Sequence, residues 1–339
     1  MNLILAVASM FAAFVPMFTY LLIIWWLDRN EREPFGMVFL NFIWGATGAI
    51  FFGMIGSLIF QIPLNEFLSS FSGGDNSEQL FDFAGSVITA PVVEEFTKGI
   101  FLFILAYSRR FDGVVDGLVY GGAIGLGFGM TENFLYFVSY GTTPESWLWL
   151  VIIRTCFSAV MHCMSQASFG AVLGFAKFKP FVFKIFLIPA GFMLAVFLHF
   201  SWNFTVSFEE TTLLGFAFLF LYAIAIFAVF QLSLYFEGKT IIKELQEEAA
   251  NGLIPFEHLR YIPYVTRRFR FGWCPPGINQ KDYVKTSIVL AIRKHQFKAS
   301  SGKLKQFYLD DIKRIRYKIQ MMYYNANMPY NSNYASAKI

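Results

Sequence analysis

Four stretches place ionisable and carboxamide side chains inside otherwise apolar sequence: "PVVEEFTKG" with Glu94, Glu95 and Lys98; "GFGMTENFLY" with Glu132 and Asn133; "IRTCFSAVMHCMSQ" with Arg154 and His162; and "FLHFSWNF" with His199 and Asn203. Three glutamates, two imidazoles and an asparagine can hydrolyse an amide. A carboxylate kept out of water binds a proton more tightly and serves as a general base toward water near neutral pH. Imidazole and carboxamide groups can donate hydrogen bonds to a developing oxyanion. The same residue types permit a second mechanism, in which two imidazoles and one carboxylate hold a catalytic zinc ion with one open position. In that case His162, His199 and Glu132 would be the ligands and another glutamate the base. The soluble HExxH signature is absent, and the residue types alone do not separate the two mechanisms.

Helical spacing restricts the roles. His199 and Asn203 are i,i+4 and share a face, as do Glu132 and Tyr136, and Ser158, His162 and Gln166. Glu94 and Lys98 are also i,i+4, with the acid first, the better order for an ion pair. Glu94 and Glu95 diverge by about 100°, so only one can point straight into a site. With Glu94 assigned to Lys98, Glu95 is the expected working carboxylate.

The elements that must position these groups are membrane spans. The chain of 339 residues is 56% hydrophobic and 15% charged, with a mean hydropathy of +0.51; an ordinary soluble domain carries about 25% charged residues. Seven apolar runs reach spanning length, near 3–27, 35–60, 84–107, 117–140, 147–176, 181–207 and 211–236. The expected fold is an all-α polytopic bundle of about seven spans, comprising residues 1–236. A basic, mostly helical tail over 237–339 follows. The first part has a net charge of −6 and the tail +10. "GGAIGLGFG" (121–129) reads as close helix packing. The three cysteines form no CxxC pair and suggest no disulfide framework or thiolate metal site. The apolar N-terminus lacks a basic leader and is read as a span.

Lys and Arg fall in every second connection: "DRNERE", "SRRFDG" and "KFKPFVFK" carry them, whereas the connections at 62–83, 141–146 and 208–210 carry acids and no base. The positive-inside rule therefore expects an N-terminus outside and a cytoplasmic C-terminus, in a multi-pass protein of the cytoplasmic membrane. Counted along these spans, Glu94, Glu132, His162 and His199 lie roughly 12 to 22 Å below the outer face and can meet in one layer. Intramembrane ionisable groups suggest function by default. The bland readings are an ion pair neutralising an interhelical seam and imidazoles serving as packing partners. The basic tail suits anionic lipid better than nucleic acid. The tail helices are expected at "TIIKELQEEAANGLI", ending at Gly252, and at "DYVKTSIVLAIRKHQFKAS" and "KQFYLDDIKRIRYKIQMMYY", with a turn at "FGWCPPGINQ" and a frayed end.

In this order, "DRNEREP", "PVVEEFTKG", "GFGMTENFLY", "RTCFSAVMH" and "HFSWN" resemble the motifs of the PrsW family of intramembrane proteases, over roughly residues 20–207. That family is similar to a wider superfamily including the prenyl-protein (CAAX) proteases and bacteriocin-immunity-like proteins. The resemblance implies that Glu94 and Glu95 are the paired glutamates required for activity. Lys98 is the trailing base, Glu132 and Asn133 the second motif, His162 the third, and His199 and Asn203 the fourth. It implies a lipid-embedded peptidase acting on a membrane-anchored protein, such as an anti-sigma-factor-like regulator, near the extracytoplasmic half of the bilayer. Zn²⁺ is one option for its cofactor. The competing classes are a proton-coupled carrier, for which no inverted repeat is visible, and a catalytically inactive scaffold.

Overall fold

A computed structural model of the chain describes residues 3–70, 77–109 and 111–326. Asp75, Arg110 and the C-terminal end expected to fray lie outside the described residues. Among the described residues the fold is entirely helical. The helices are α1 (Leu3–Leu27), α2 (Phe35–Trp44), α3 (Ile50–Ser69), α4 (Ser77–Ala84), α5 (Ala90–Ala106), α6 (Val114–Tyr140), α7 (Pro144–Ile153), α8 (Ala159–Ala176), α9 (Phe181–Val206), α10 (Glu209–Ala250), α11 (Gln280–Ala299) and α12 (Gly302–Asn325). Three π-helical turns, Gly45–Ala49, Gly85–Thr89 and Arg154–Ser158, join α2 to α3, α4 to α5 and α7 to α8 without breaking the rods.

Six helical rods are long and apolar enough to cross a membrane: Leu3–Leu27, Phe35–Ser69, Val114–Tyr140, Pro144–Ala176, Phe181–Val206 and Glu209–Ala250. The seventh expected run, 84–107, falls within the continuous α4–α5 rod. Glu94, Glu95 and Lys98 make this rod too charged to stand with the others on apolarity alone. Large apolar side chains such as Leu58, Phe186, Leu213 and Leu221 are exposed on the outer faces, as surfaces meant for acyl chains rather than water.

The chain separates into two compact units. One takes the described residues up to Leu27 together with Glu33–Phe230; the other takes Asp28–Arg32 and the described residues from Gln231 onward. In the first unit α6 is the central rod and packs most extensively against α8. Glycines permit this approach: a Cβ on Gly117, Gly121 or Gly125 would lie about 2 Å from a backbone oxygen of Gly170, Gln166 or His162, well inside van der Waals contact. The "GGAIGLGFG" stretch is thus a packing seam, and it brings the α6 carboxylate Glu132 beside the α8 imidazole His162.

The expected helix over "TIIKELQEEAANGLI" forms the last part of α10. α10 runs unbroken from 209 to 250, and Gly252 follows with φ +86°. The expected division at 236/237 therefore falls inside one rod. At 42 residues, α10 is roughly 63 Å long, about twice the hydrocarbon thickness. Its later part, α11 and α12 enclose a core of Ile241, Leu245, Tyr283, Ile288, Ile312 and Ile319.

Candidate active site

Glu95 lies on the buried face of α5 with no solvent exposure. Its Oε1 receives Lys98 Nζ at 2.8 Å and His199 Nδ1 at 2.9 Å. Its Oε2 accepts from Gln166 Nε2 at 2.7 Å, and the same amide also reaches the Glu95 carbonyl at 3.1 Å. This carboxylate is occupied on both oxygens. Because the carboxylate accepts, His199 donates from Nδ1, and its Nε2 faces the neighbouring Glu94.

Glu94 is placed differently. Its Oε2 is 3.5 Å from Lys98 Nζ and 3.9 Å from His199 Nε2, too far for a hydrogen bond to the imidazole. The atom is buried without a hydrogen-bond partner. Glu94 also lines a cavity of about 320 Å³, bounded further by Glu132, Arg154, His162, Trp202 and Asn203. The expected pairing of Lys98 with Glu94 is therefore not the closer one. Lys98 bonds Glu95 at i,i+3 more closely than Glu94 at i,i+4, and Glu94 faces the cavity.

Lys98 is the hub of the cluster. Fully buried, its Nζ also lies 3.0 Å from His162 Nδ1 and 3.8 Å from the Phe128 ring centroid. An ammonium has donors only, so His162 accepts at Nδ1 and carries its proton on Nε2, facing Glu132 Oε2 at 2.7 Å. The same Glu132 oxygen pairs with Arg154 Nη2 at 2.7 Å. The Arg154 guanidinium stacks on Tyr136 at 3.6 Å from the ring centroid and donates from Nε to Asn133 Oδ1 at 3.1 Å. Asn133, wholly buried, thus braces Arg154 and is not among the residues bounding the cavity.

Asn203 lines the cavity, and its Nδ2 donates to the Ser86 carbonyl at 2.8 Å. Ser86 belongs to a π-helical turn, whose wide geometry leaves carbonyls accessible to side chains. Thr131 and Thr97 likewise donate to Ala46 and Ala49 in the turn at 45–49. Such turns are frequent at functional sites. Here one precedes Glu94 and another begins with Arg154. Gln166, on the Ser158–His162 face, was not among the residues expected at the site. Its i,i+4 spacing from His162 was the available signal.

The donor types suit a metal ion. Glu94, His162 and His199 each offer one ligand atom, all within 4.8 Å of one another. Tetrahedral zinc, with bonds of about 2.0–2.2 Å, needs donors about 3.3–3.6 Å apart, so the three side chains would close in modestly. His199 is already in the carboxylate-backed tautomer common among metal ligands; His162 would have to release Glu132 or Lys98. The carboxylate that converges with both imidazoles is Glu94, where the sequence pattern placed Glu132; Glu132 meets His162 and Arg154 instead.

The fold and site together define a helical, multi-pass membrane protein with a carboxylate–imidazole cluster opening on an internal cavity. The PrsW-protease family model, described as PrsW family intramembrane metalloprotease, matches residues 33–231. The chain therefore belongs to the PrsW family of intramembrane proteases. Among similar proteins are Protease PrsW of Bacillus subtilis (strain 168), 25% identical over 184 residues covering 53% of this chain and 74% of the relative. Protease PrsW of Oceanobacillus iheyensis is 28% identical over 191 residues, 56% and 79% of the two chains. Protease PrsW of Shouchella clausii is 33% identical over 116 residues, 34% and 51% of the two. No solved structure matches the chain.

Proposed function

We propose that this chain is an endopeptidase that cuts a membrane-anchored protein within the cavity bounded by Glu94, Glu132, Arg154, His162, Trp202 and Asn203, with Glu94 as the group that meets the attacking water. The observation that carries this reading is the buried Glu94 Oε2, without a hydrogen-bond partner, facing the cavity beside Nε2 of His199. Glu94 takes the water's proton as oxygen attacks the peptide carbonyl, and returns it to the departing amide nitrogen. His199, held by Glu95, keeps Nε2 aimed at the reacting oxygen. His162 Nε2–H and Asn203 Nδ2 are the donors nearest the cavity for the developing oxyanion, once each releases its present acceptor. Glu95, Lys98 and Gln166 act one step back and orient His199. In the alternative metal-dependent reading, Glu94, His162 and His199 would instead hold a zinc ion, which would supply Lewis-acid polarisation, and the base and oxyanion roles would pass to other groups.

The alternation of basic connections supports a cytoplasmic C-terminus. The cavity is lined by Ser86, Tyr136, Leu150 and Val206, near the rod ends expected to be extracytoplasmic, which favours cleavage in that half of the bilayer. An anti-sigma-factor-like regulator fits such a position. The paired glutamates and the His199–Asn203 pair also favour placement in the superfamily of prenyl-protein proteases.

The test is cleavage of single-span substrates by purified parent, Glu94→Gln and His199→Ala proteins, with metal content measured on the parent and His162→Ala. Full activity in both variants overturns the assignment. A proton flux in liposomes that is lost with Glu132→Gln would favour a carrier instead.

A further inference from the structure

Between the 3₁₀ turn at Phe256–Arg260 and α11, the second unit carries the non-helical segment "YIPYVTRRFRFGW" (261–273). Part of it is anchored inward. Ile262 joins the core. Arg268 is buried, and its Nη1 donates to the carbonyls of Arg29 at 3.3 Å and Asn30 at 3.0 Å. Gln280 Nε2 clamps the carbonyls of Arg268 and Arg270 at 2.9 and 2.8 Å. The rest points outward. Phe269 is 62% exposed and Phe271 fully so, with Tyr264 and Val265 also exposed. Arg267 and Arg270 stand among them, exposed. Neither arginine makes an ion pair among the described residues.

The anchor fixes the level of this loop. Arg29 and Asn30 follow directly on the end of the α1 rod at Leu27. They are tied in turn to α10: Arg29 to Gln231 at 2.6 Å, and Asn30 to the Leu234 carbonyl and to Glu237 at 2.8 and 3.0 Å. At that point the apolar sequence of α10 gives way to "EGKTIIKEL". Within the second unit the loop is thus pinned, through Arg29 and Asn30, to the stretch of α10 where apolar sequence ends. In water its four exposed apolar side chains would be a cost. At the headgroup layer the aromatic rings reach the acyl boundary while guanidinium groups meet phosphates.

We infer that residues 264–271 dock on the anionic phospholipid surface of the membrane that this chain spans, with Phe269 and Phe271 inserted and Arg267 and Arg270 on the headgroups. Such a contact fastens the second unit to the bilayer independently of the proteolytic cavity.

Hydrogen–deuterium exchange on the full chain in nanodiscs tests this, comparing phosphatidylcholine alone with discs that also contain phosphatidylserine. Each arginine near an anionic surface strengthens partitioning roughly fivefold. Amides 264–271 should therefore exchange more slowly in the anionic discs, and high salt or the Arg267→Gln/Arg270→Gln pair should remove the difference. Phe271→Ser should weaken protection while leaving its salt dependence. Equal exchange in the two discs overturns the inference, and so does a change extending through α11 and α12. Protection that appears only when a second protein is added overturns it in favour of a protein partner.

Discussion

Glu95 and Glu248 are both carboxylates with no solvent exposure, yet they sit in clusters of opposite character. In the second unit, Glu248 Oε1 meets Lys294 and Arg316 at 2.7 Å, and its Oε2 meets Arg316 Nε at 3.0 Å. Glu244 and Glu247 share Lys294 and Lys298. Three carboxylates are matched by three cations, and every oxygen is used. In the first unit Glu95 is equally well matched, but the adjacent Glu94 has a buried oxygen with no hydrogen-bond partner, turned to a cavity. A saturated network holds helices together. A network with one open acceptor beside space for a ligand keeps binding capacity for something that arrives. Comparing the clusters thus separates a saturated charge network from one with an unsatisfied acceptor, which burial alone does not do.

The comparison is broken most sharply at Glu94. Glu94→Gln should lower cleavage by on the order of 10²–10⁴-fold while leaving the thermal unfolding of the purified protein unchanged; a large loss of stability would make Glu94 structural after all. Lys294→Met should do the opposite. Removing one partner of a buried ionic network costs about 3–5 kcal/mol, visible as faster hydrogen exchange in α11 and α12, with the cleavage rate per folded molecule retained. Gln166→Leu tests the step behind the site. It removes both amide bonds to Glu95, and such supporting groups are worth about 10–100-fold in activity or metal affinity. Zinc titration and kcat should both fall, and Gln166→Glu should not rescue them, because it sets a second carboxylate against Glu95.

The smallest effect belongs to His258, whose Nδ1 lies 2.9 Å from Tyr283 Oη. Burial pushes this imidazole down from 6.5 to about 4. The unfolded chain therefore binds the proton more readily between these values. The contribution to stability is full above pH 6.5 and is lost as the pH falls toward 4. Between pH 7.5 and 5.5 the loss should be about 1 kcal/mol, measured as exchange protection of α11, and His258→Gln should flatten that slope.

Much of the architecture was legible because spanning helices announce themselves by length and apolarity. The rods at 3–27, 114–140 and 181–206 begin and end within a few residues of the expected bounds. The approach of Glu94, Glu132, His162 and His199 to one another agrees with counting 1.5 Å per residue along alternating spans. The choice between Glu94 and Glu95 did not follow. Residue spacing favours Glu94–Lys98, but a lysine side chain is long enough for i,i+3 or i,i+4, and neighbouring helices decide which acid it meets. The π-helical turn at 85–89 inserts a residue's worth of phase just before Glu94 and leaves no mark in composition. Gln166 was visible as a residue on the His162 face, but its acceptor lies on α5, 71 positions away.

The sequence by itself determined that this chain is a helical membrane protein, which of its residues bring charge and imidazole into the apolar layer, and that these resemble a protease family's motifs. Each is a local property of composition, period and order. Only the tertiary structure decided which carboxylate is saturated and which keeps an unsatisfied oxygen, that Glu132 is shared between Arg154 and His162, and that Lys98 divides itself among Glu95, Glu94 and His162. Those outcomes depend on the rotation of each rod against its neighbours, set by backbone contacts such as the glycine seam between α6 and α8.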